Sequence, residues 1–231
     1  MSSYRNHILF SLILTFPFFP DIYYLSLGVI GASLVDLDSK YRNKNLLNLG
    51  LSGCLLTLLL QFLNIPLFPG LILITLALIF FISKHRGLMH SFIGIILGAL
   101  LLGIFIFSFL MFLQFLQIFN IRASLFLTSA FLAIMILNKK LVIPYILVLS
   151  LGILLTPIIG FNIYFVFGSV LLGSLSHLIL DLFTPKGVKI FKPFLSRKMG
   201  KTTGIILFAI WVAGIILFYG FNFLDHFFYF L

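Results

Sequence analysis

Glutamate is missing from this 231-residue chain, and five aspartates supply all of its acidity. Cysteine and tryptophan occur once each, and charged residues make up only 9% of the sequence. Each shortage excludes something. The single cysteine, Cys54, set among leucines, forms neither an intrachain disulfide nor a thiolate metal cluster. A charged fraction far below the roughly one quarter of ordinary globular chains, beside 62% hydrophobic residues and a mean hydropathy of +1.25, excludes a soluble fold. What remains is an all-α, polytopic integral membrane bundle of eight or nine hydrophobic helices. The longest hydrophilic runs, 36–45 and 184–204, are too short for a separate soluble domain, so residues 1–231 read as one transmembrane domain.

The apolar runs cover residues 8–20, 22–38, 46–63, 66–83, 88–118, 121–138, 141–160, 162–183 and 203–223. Most approach the ~20 residues that a span requires. The first is short and carries Pro17 and Pro20, which suits a tilted half of a hairpin, while the fifth exceeds one bilayer. Residues 5–20 also mimic a signal peptide, but large side chains fill the Phe-Pro-Phe-Phe-Pro end, so the segment is expected to be retained. Alternating nine crossings from a cytoplasmic N-terminus puts every lysine and arginine except Arg122 on one side, as the positive-inside rule requires. The C-terminus then lies on the opposite face. A net charge of +10 is thereby explained by membrane orientation and anionic headgroups, and no nucleic-acid partner is expected.

The scarce acidic and histidine residues are clustered. Five aspartates and five histidines occur, and seven of these ten fall in four short segments: His7; Asp36 and Asp38; His85 and His90; His177 and Asp181. The same alternation that sorts the basic residues carries all seven to the cytoplasmic side and leaves Asp21, Asp225 and His226 on the other. Ionisable groups in a membrane bundle cost several kcal/mol unless paired, hydrated or metal-bound, and are read first as a functional site. Histidine and carboxylate are also the donors that hold divalent cations where cysteine is absent. His177 and Asp181 are four apart, on one helical face. Asp36 and Asp38 converge only where the helix frays. His85 and His90 flank Gly87, which places the first on a loop and the second on the opening turn of the next span. Plainer roles exist for each: the aspartates can pair with Lys40 and Arg42, and His177 can bond to Asp181 across one turn. Gly94 and Gly98 offer a small face for close helix packing.

The segments Asn6-His7-Ile8-Leu9, Gly31-Ala-Ser-Leu-Val-Asp36-Leu-Asp38, His85-Arg-Gly-Leu-Met-His90-Ser91 and Gly173-Ser-Leu-Ser-His177-Leu-Ile-Leu-Asp181-Leu-Phe-Thr184-Pro185-Lys-Gly187 together resemble the YdjM-like family of membrane-bound metal-dependent hydrolases. That family is in turn considered similar to zinc-dependent phospholipase C and the P1-type nucleases. The resemblance covers residues 6–188, with two departures: Val35 where proline is common, and Met89 where threonine is common. It implies a metal set of His7, Asp36, Asp38, His85, His90, His177 and Asp181, holding one to three divalent ions, zinc first, with manganese, iron or magnesium also fitting a sulfur-free site. A metal of this kind lowers the pKa of bound water to about 7. The resemblance further implies that Asp38 or Asp181 bridges ions or serves as a base, and that Arg86 holds a phosphate. The expected activity is hydrolysis of a phosphoester or lipid-linked substrate drawn from the membrane. Two alternatives use the same residues: a cation or proton transporter or channel, and a non-catalytic metal-stabilised scaffold.

Overall fold

The few polar side chains outside the site mark where helices begin. Asp21 accepts from the Tyr23 amide at 2.7 Å, Ser91 from Gly94 at 3.2 Å, Asn120 from Ala123 at 2.9 Å, Asn138 from Lys140 at 3.1 Å and Asn162 from Tyr164 at 2.9 Å. Each satisfies an amide that the first turn of a helix leaves open. A computed structural model describes residues 4–39, 43–83, 86–156 and 161–228 of the chain. Among the described residues it contains nine α-helices and no strand: α1 (Tyr4–Thr15), α2 (Ile22–Leu34), α3 (Asn43–Phe62), α4 (Phe68–Ile82), α5 (Phe92–Phe115), α6 (Ile121–Ile136), α7 (Lys139–Leu155), α8 (Ile163–Leu182) and α9 (Lys201–Phe228). Short 3₁₀ turns follow α2 at Val35–Asp38 and precede α5 at Leu88–His90.

The all-helical membrane architecture holds. Four helices are long and apolar enough to cross a bilayer, namely α3, α5, α8 and the 201–220 part of α9. The others are shorter than the apolar runs suggested. α1 stops at Thr15, before Pro17 and Pro20, because proline cannot donate to the preceding turn. Its 12 residues reach about 18 Å, well short of a ~30 Å hydrocarbon layer. The run 22–38 is not one helix, since α2 tightens into a 3₁₀ turn after Leu34.

At the centre, α2 packs along α8, flanked by α1 and α5; α3 and α4 form a hairpin beside α5, and α9 lies against α8 at the edge. Small residues allow the central contact. A Cβ on Gly173 would collide with the Gly28 carbonyl, and one on Gly31 with that of Val170. The Ser174 hydroxyl donates to the Gly31 carbonyl at 2.9 Å across this contact. Helix association in lipid depends on such close packing and interhelical bonds, because apolar burial against lipid adds little. α9 is fixed along α1 from outside, with Trp211 Nε1 donating to the Leu14 carbonyl at 3.1 Å and the Tyr219 hydroxyl to that of Pro17 at 2.8 Å.

Candidate metal centre

The α2–α8 contact brings two of the four segments together, and each helix delivers its polar residues at the same end. On α8, His177 and Asp181 share a face, with Nε2 to Oδ2 at 3.8 Å. On the 3₁₀ turn that ends α2, Asp36 and Asp38 diverge, yet both reach one ring. Asp36 Oδ1 faces His90 Nε2 at 3.9 Å, and Asp38 Oδ2 faces Nδ1 of the same imidazole at 3.4 Å. The converging oxygens that the spacing left uncertain are thus placed on opposite edges of His90.

Four donor atoms form a closed ring. His177 Nε2 lies 3.5 Å from Asp36 Oδ1, which lies 3.9 Å from His90 Nε2; that nitrogen lies 3.6 Å from Asp181 Oδ2, which lies 3.8 Å from His177 Nε2. Nitrogen and oxygen alternate around it. These separations exceed the ~2.9 Å of a direct N–H···O bond, and three donors at a time lie close enough to share one ion. Two overlapping triads, Asp36–His90–His177 and His7–His177–Asp181, have donor atoms close enough to hold a metal ion. His7 completes the second: its ring stacks on that of His177 with centroids 3.9 Å apart, and its Nε2 lies 3.9 Å from Asp181 Oδ1. Burial is steep, with the side chains of His90 and His177 at 0% and 1% exposure, Asp181 at 7% and Asp36 at 25%. Access is therefore from the Asp36 side.

Local structure explains how His90 reaches the ring. It was expected on the opening turn of a span, but it ends the Leu88–His90 turn, two residues before α5 begins. That turn is anchored by apolar contact. Gly94 leaves room for the Leu88 carbonyl, and Met89 is fully buried with its methyl against Gly98. The Gly94–Gly98 face thus receives the site turn and, at Gly98, the Leu34 side chain that ends α2. Val35, the other departure from the family pattern, is buried with Ile95, Leu178, Leu182, Val188 and Ile190. Arg86 has a φ of 59°, a left-handed conformation that is uncommon for a non-glycine residue and concentrates at functional sites. Its Nη2 donates to Asp181 Oδ1 at 3.5 Å and its Nη1 to the Gly187 carbonyl at 3.4 Å.

The segment after α8 builds the floor of this end. The Thr184 hydroxyl donates to the Asp181 carbonyl at 2.7 Å, closing the helix before Pro185. Gly187, at φ +61°, turns the chain, and a Cβ there would lie 2.6 Å from the Met199 carbonyl. Val188 and Met199 then exchange paired backbone bonds of 3.0 and 2.8 Å, and the Phe92 amide donates to the Ile190 carbonyl at 3.0 Å. Residues 184–200, whose lysines read from sequence as fixing orientation on anionic headgroups with room for a role in drawing anionic substrate to the site, form a loop tied to the start of α5.

Of the sequence-derived metal set, the structure gathers His7, Asp36, His90, His177 and Asp181, and it sets Asp38 behind His90. Arg86 joins Asp181 as well. His85 lies outside the described residues, as do Lys40 and Arg42, the alternative partners of the aspartates. Asp21, which the topology excluded, is a helix cap. The Gly187 carbonyl and Ser174 hydroxyl were not singled out as supports; their signal in sequence was the small and turn-forming residues around His177 and Pro185. Compared with known proteins, residues 4–223 match the profile of the YdjM inner membrane protein family, which extends through most of α9 and well past the 6–188 interval carrying the motifs. No curated protein and no solved structure matches the chain.

Proposed function

The chain belongs to the YdjM inner membrane protein family, and we propose that it is a membrane-embedded metal-dependent hydrolase acting on a phosphoester, with its site opening at the cytoplasmic face. One observation carries this reading: the ring of two histidine nitrogens and two carboxylate oxygens, spaced 3.5–3.9 Å apart inside an apolar bundle. Charge supports it. Asp36, Asp38 and Asp181 against the single guanidinium of Arg86 leave a net charge of −2 in a buried cluster, which one divalent cation neutralises without charging a histidine. Zinc suits nitrogen and oxygen donors best, and manganese, iron or magnesium also fit.

His90, His177, Asp36 and Asp181 would hold the ion, with His7 adjoining through the second oxygen of Asp181. When bound, such an ion supplies Lewis acidity and makes water acidic enough to be a nucleophile at neutral pH. The side chains supply the rest. Asp38 fixes the tautomer and orientation of His90 through Nδ1, as carboxylates behind metal-binding histidines do. It is a positioning residue. Arg86 holds the phosphate oxygens, its fork of N–H donors matching them two at a time. Water adds its oxygen to phosphorus as the phosphorus–alcohol bond breaks, and the proton that the water gives up passes to the neutral imidazole of His7, which delivers it to the leaving oxygen. A transport reading predicts ionisable side chains along the depth of the bundle; in this cluster they gather where α2, α5 and α8 meet at one end, which favours hydrolysis.

Elemental analysis of purified protein in detergent is the test, alongside a His177→Ala, Asp181→Ala double variant. The expected result is about one equivalent of transition metal, lost in the variant, together with chelator-sensitive phosphate release from phosphoester lipids. No metal in either protein after reconstitution with excess ions would remove the hydrolase reading.

A further inference from the structure

A polar cavity adjoins the metal centre through Arg86, and the function proposed above uses nothing else of it. It measures about 940 Å³ and is framed by the loop after α8 and the start of α9. Among the described residues five cationic side chains line it, Arg86, Lys186, Lys189, Lys198 and Lys201, and no carboxylate does. The arrangement is not a random basic surface. Gly187 turns at positive φ to bend the loop, the Val188–Met199 pair clamps its two arms, and this clamp brings Lys186 and Lys189 opposite Lys198 and Lys201. The cavity wall also includes the first residue of α9, so the positive end of a long helix dipole lies there. Arg86 belongs to both spaces. One arm of its guanidinium reaches Asp181 of the metal centre, the other the Gly187 carbonyl on the cavity wall, both through long bonds.

We infer that this cavity is a phosphate subsite, and that the substrate carries a second phosphate group there, next to the one presented to the metal centre. The inference rests on the hydrolase reading for the role of the metal centre, but binding at the subsite does not require the metal. Four lysines, with Arg86 shared between them and Asp181, match the three or four negative charges of a diphosphate and exceed what one phosphodiester needs. Lysines contribute point charge, and Arg86, shared between the two spaces, grips the oxygens that link them. A phosphate next to another phosphate is found both in soluble diphosphates and in lipid-linked ones. The shared chemistry is the pair of phosphates, and the experiment separates the sources.

Full-length protein in detergent is stripped with EDTA and titrated with inorganic pyrophosphate by calorimetry, with and without reloading with zinc. Two double variants are compared: Lys186→Gln, Lys189→Gln in the cavity, and Lys139→Gln, Lys140→Gln at the start of α7, which removes the same charge elsewhere. The lysines are solvent-facing, so neither pair should disturb the fold, and metal content checks this. The cavity pair is expected to weaken pyrophosphate binding at least tenfold in both metal states with metal content unchanged, and the α7 pair less than twofold. Equal losses in the two pairs, or no binding by the wild type, overturn the inference. Metal uptake without pyrophosphate binding leaves the metal centre standing and removes the subsite; pyrophosphate binding without metal uptake does the reverse. Competition in phosphatidylcholine nanodiscs then assigns the source: displacement by diacylglycerol pyrophosphate points to a lipid-borne pair of phosphates, and its failure to displace points to a soluble one.

Discussion

α8 and α9 are both apolar enough to span a bilayer over 20 residues, yet half of α8 is buried inside the protein and only 6% of that part of α9. Apolarity therefore identifies membrane helices but says nothing about their place. The difference lies in the small polar residues. α8 carries Ser169, Ser174 and Ser176, all buried, whose hydroxyls donate to the carbonyls of Val166, Gly31 and Gly173. Together with Gly173 they make a face that another backbone can approach, and that approach sets His177 and Asp181 against the end of α2. α9 turns leucine, isoleucine and phenylalanine outward and holds the bundle by two hydrogen bonds to α1 and its following turn.

Gly173→Val is the strongest way to break this contrast. Its side chain would run into the Gly28 backbone, so stability in detergent should fall by about 3 kcal/mol and metal retention should disappear. Gly214→Val in α9 meets only Phe18, at 4.0 Å, and should shift stability by no more than about 0.5 kcal/mol. Denaturation with parallel elemental analysis reads both, and similar losses in the two helices would erase the distinction. Next comes His177→Ala. Zinc at a hundred times its dissociation constant should stabilise the wild type by about 2.7 kcal/mol and leave the variant unmoved in the same melt. Asp38→Asn sharpens the comparison further, because it keeps every proposed ligand and changes only the support behind His90; a chelator competition should show zinc affinity reduced about 10- to 100-fold. Unchanged affinity would reduce Asp38 to a bystander. The smallest pair compares single hydrogen bonds: Ser174→Ala should lose about 1 kcal/mol and the partly exposed Trp211→Phe about 0.5 kcal/mol, measured by denaturant titration.

Much of this contrast was legible in the residues. The apolar runs gave the helices, and the rarity of aspartate and histidine made their clustering visible; His7, Asp36, His90, His177 and Asp181 meet as the motifs implied. The turns were not legible. Val35–Asp38 reads as a continuation of α2, because a 3₁₀ ending keeps the same apolar pattern and differs only in hydrogen bonding. Asp38 was taken as a ligand or base, whereas its place behind Nδ1 of His90 depends on that tighter winding. The loop from Thr184 to Gly200 looked like orienting charge, since lysine spacing carries no record of the Val188–Met199 pairing that orders it.

The metal centre takes residues from the first turn of α1 and the last turn of α8. During synthesis the early helices must therefore wait in the bilayer with His7 and Asp36 lacking His177 and Asp181 until α8 arrives. The donor set proposed for the ion is complete only once α8 has been made. On the function proposed above, metal capture is then a late step of biogenesis, and a chain truncated before α8 carries its aspartates without His177 and Asp181 beside them.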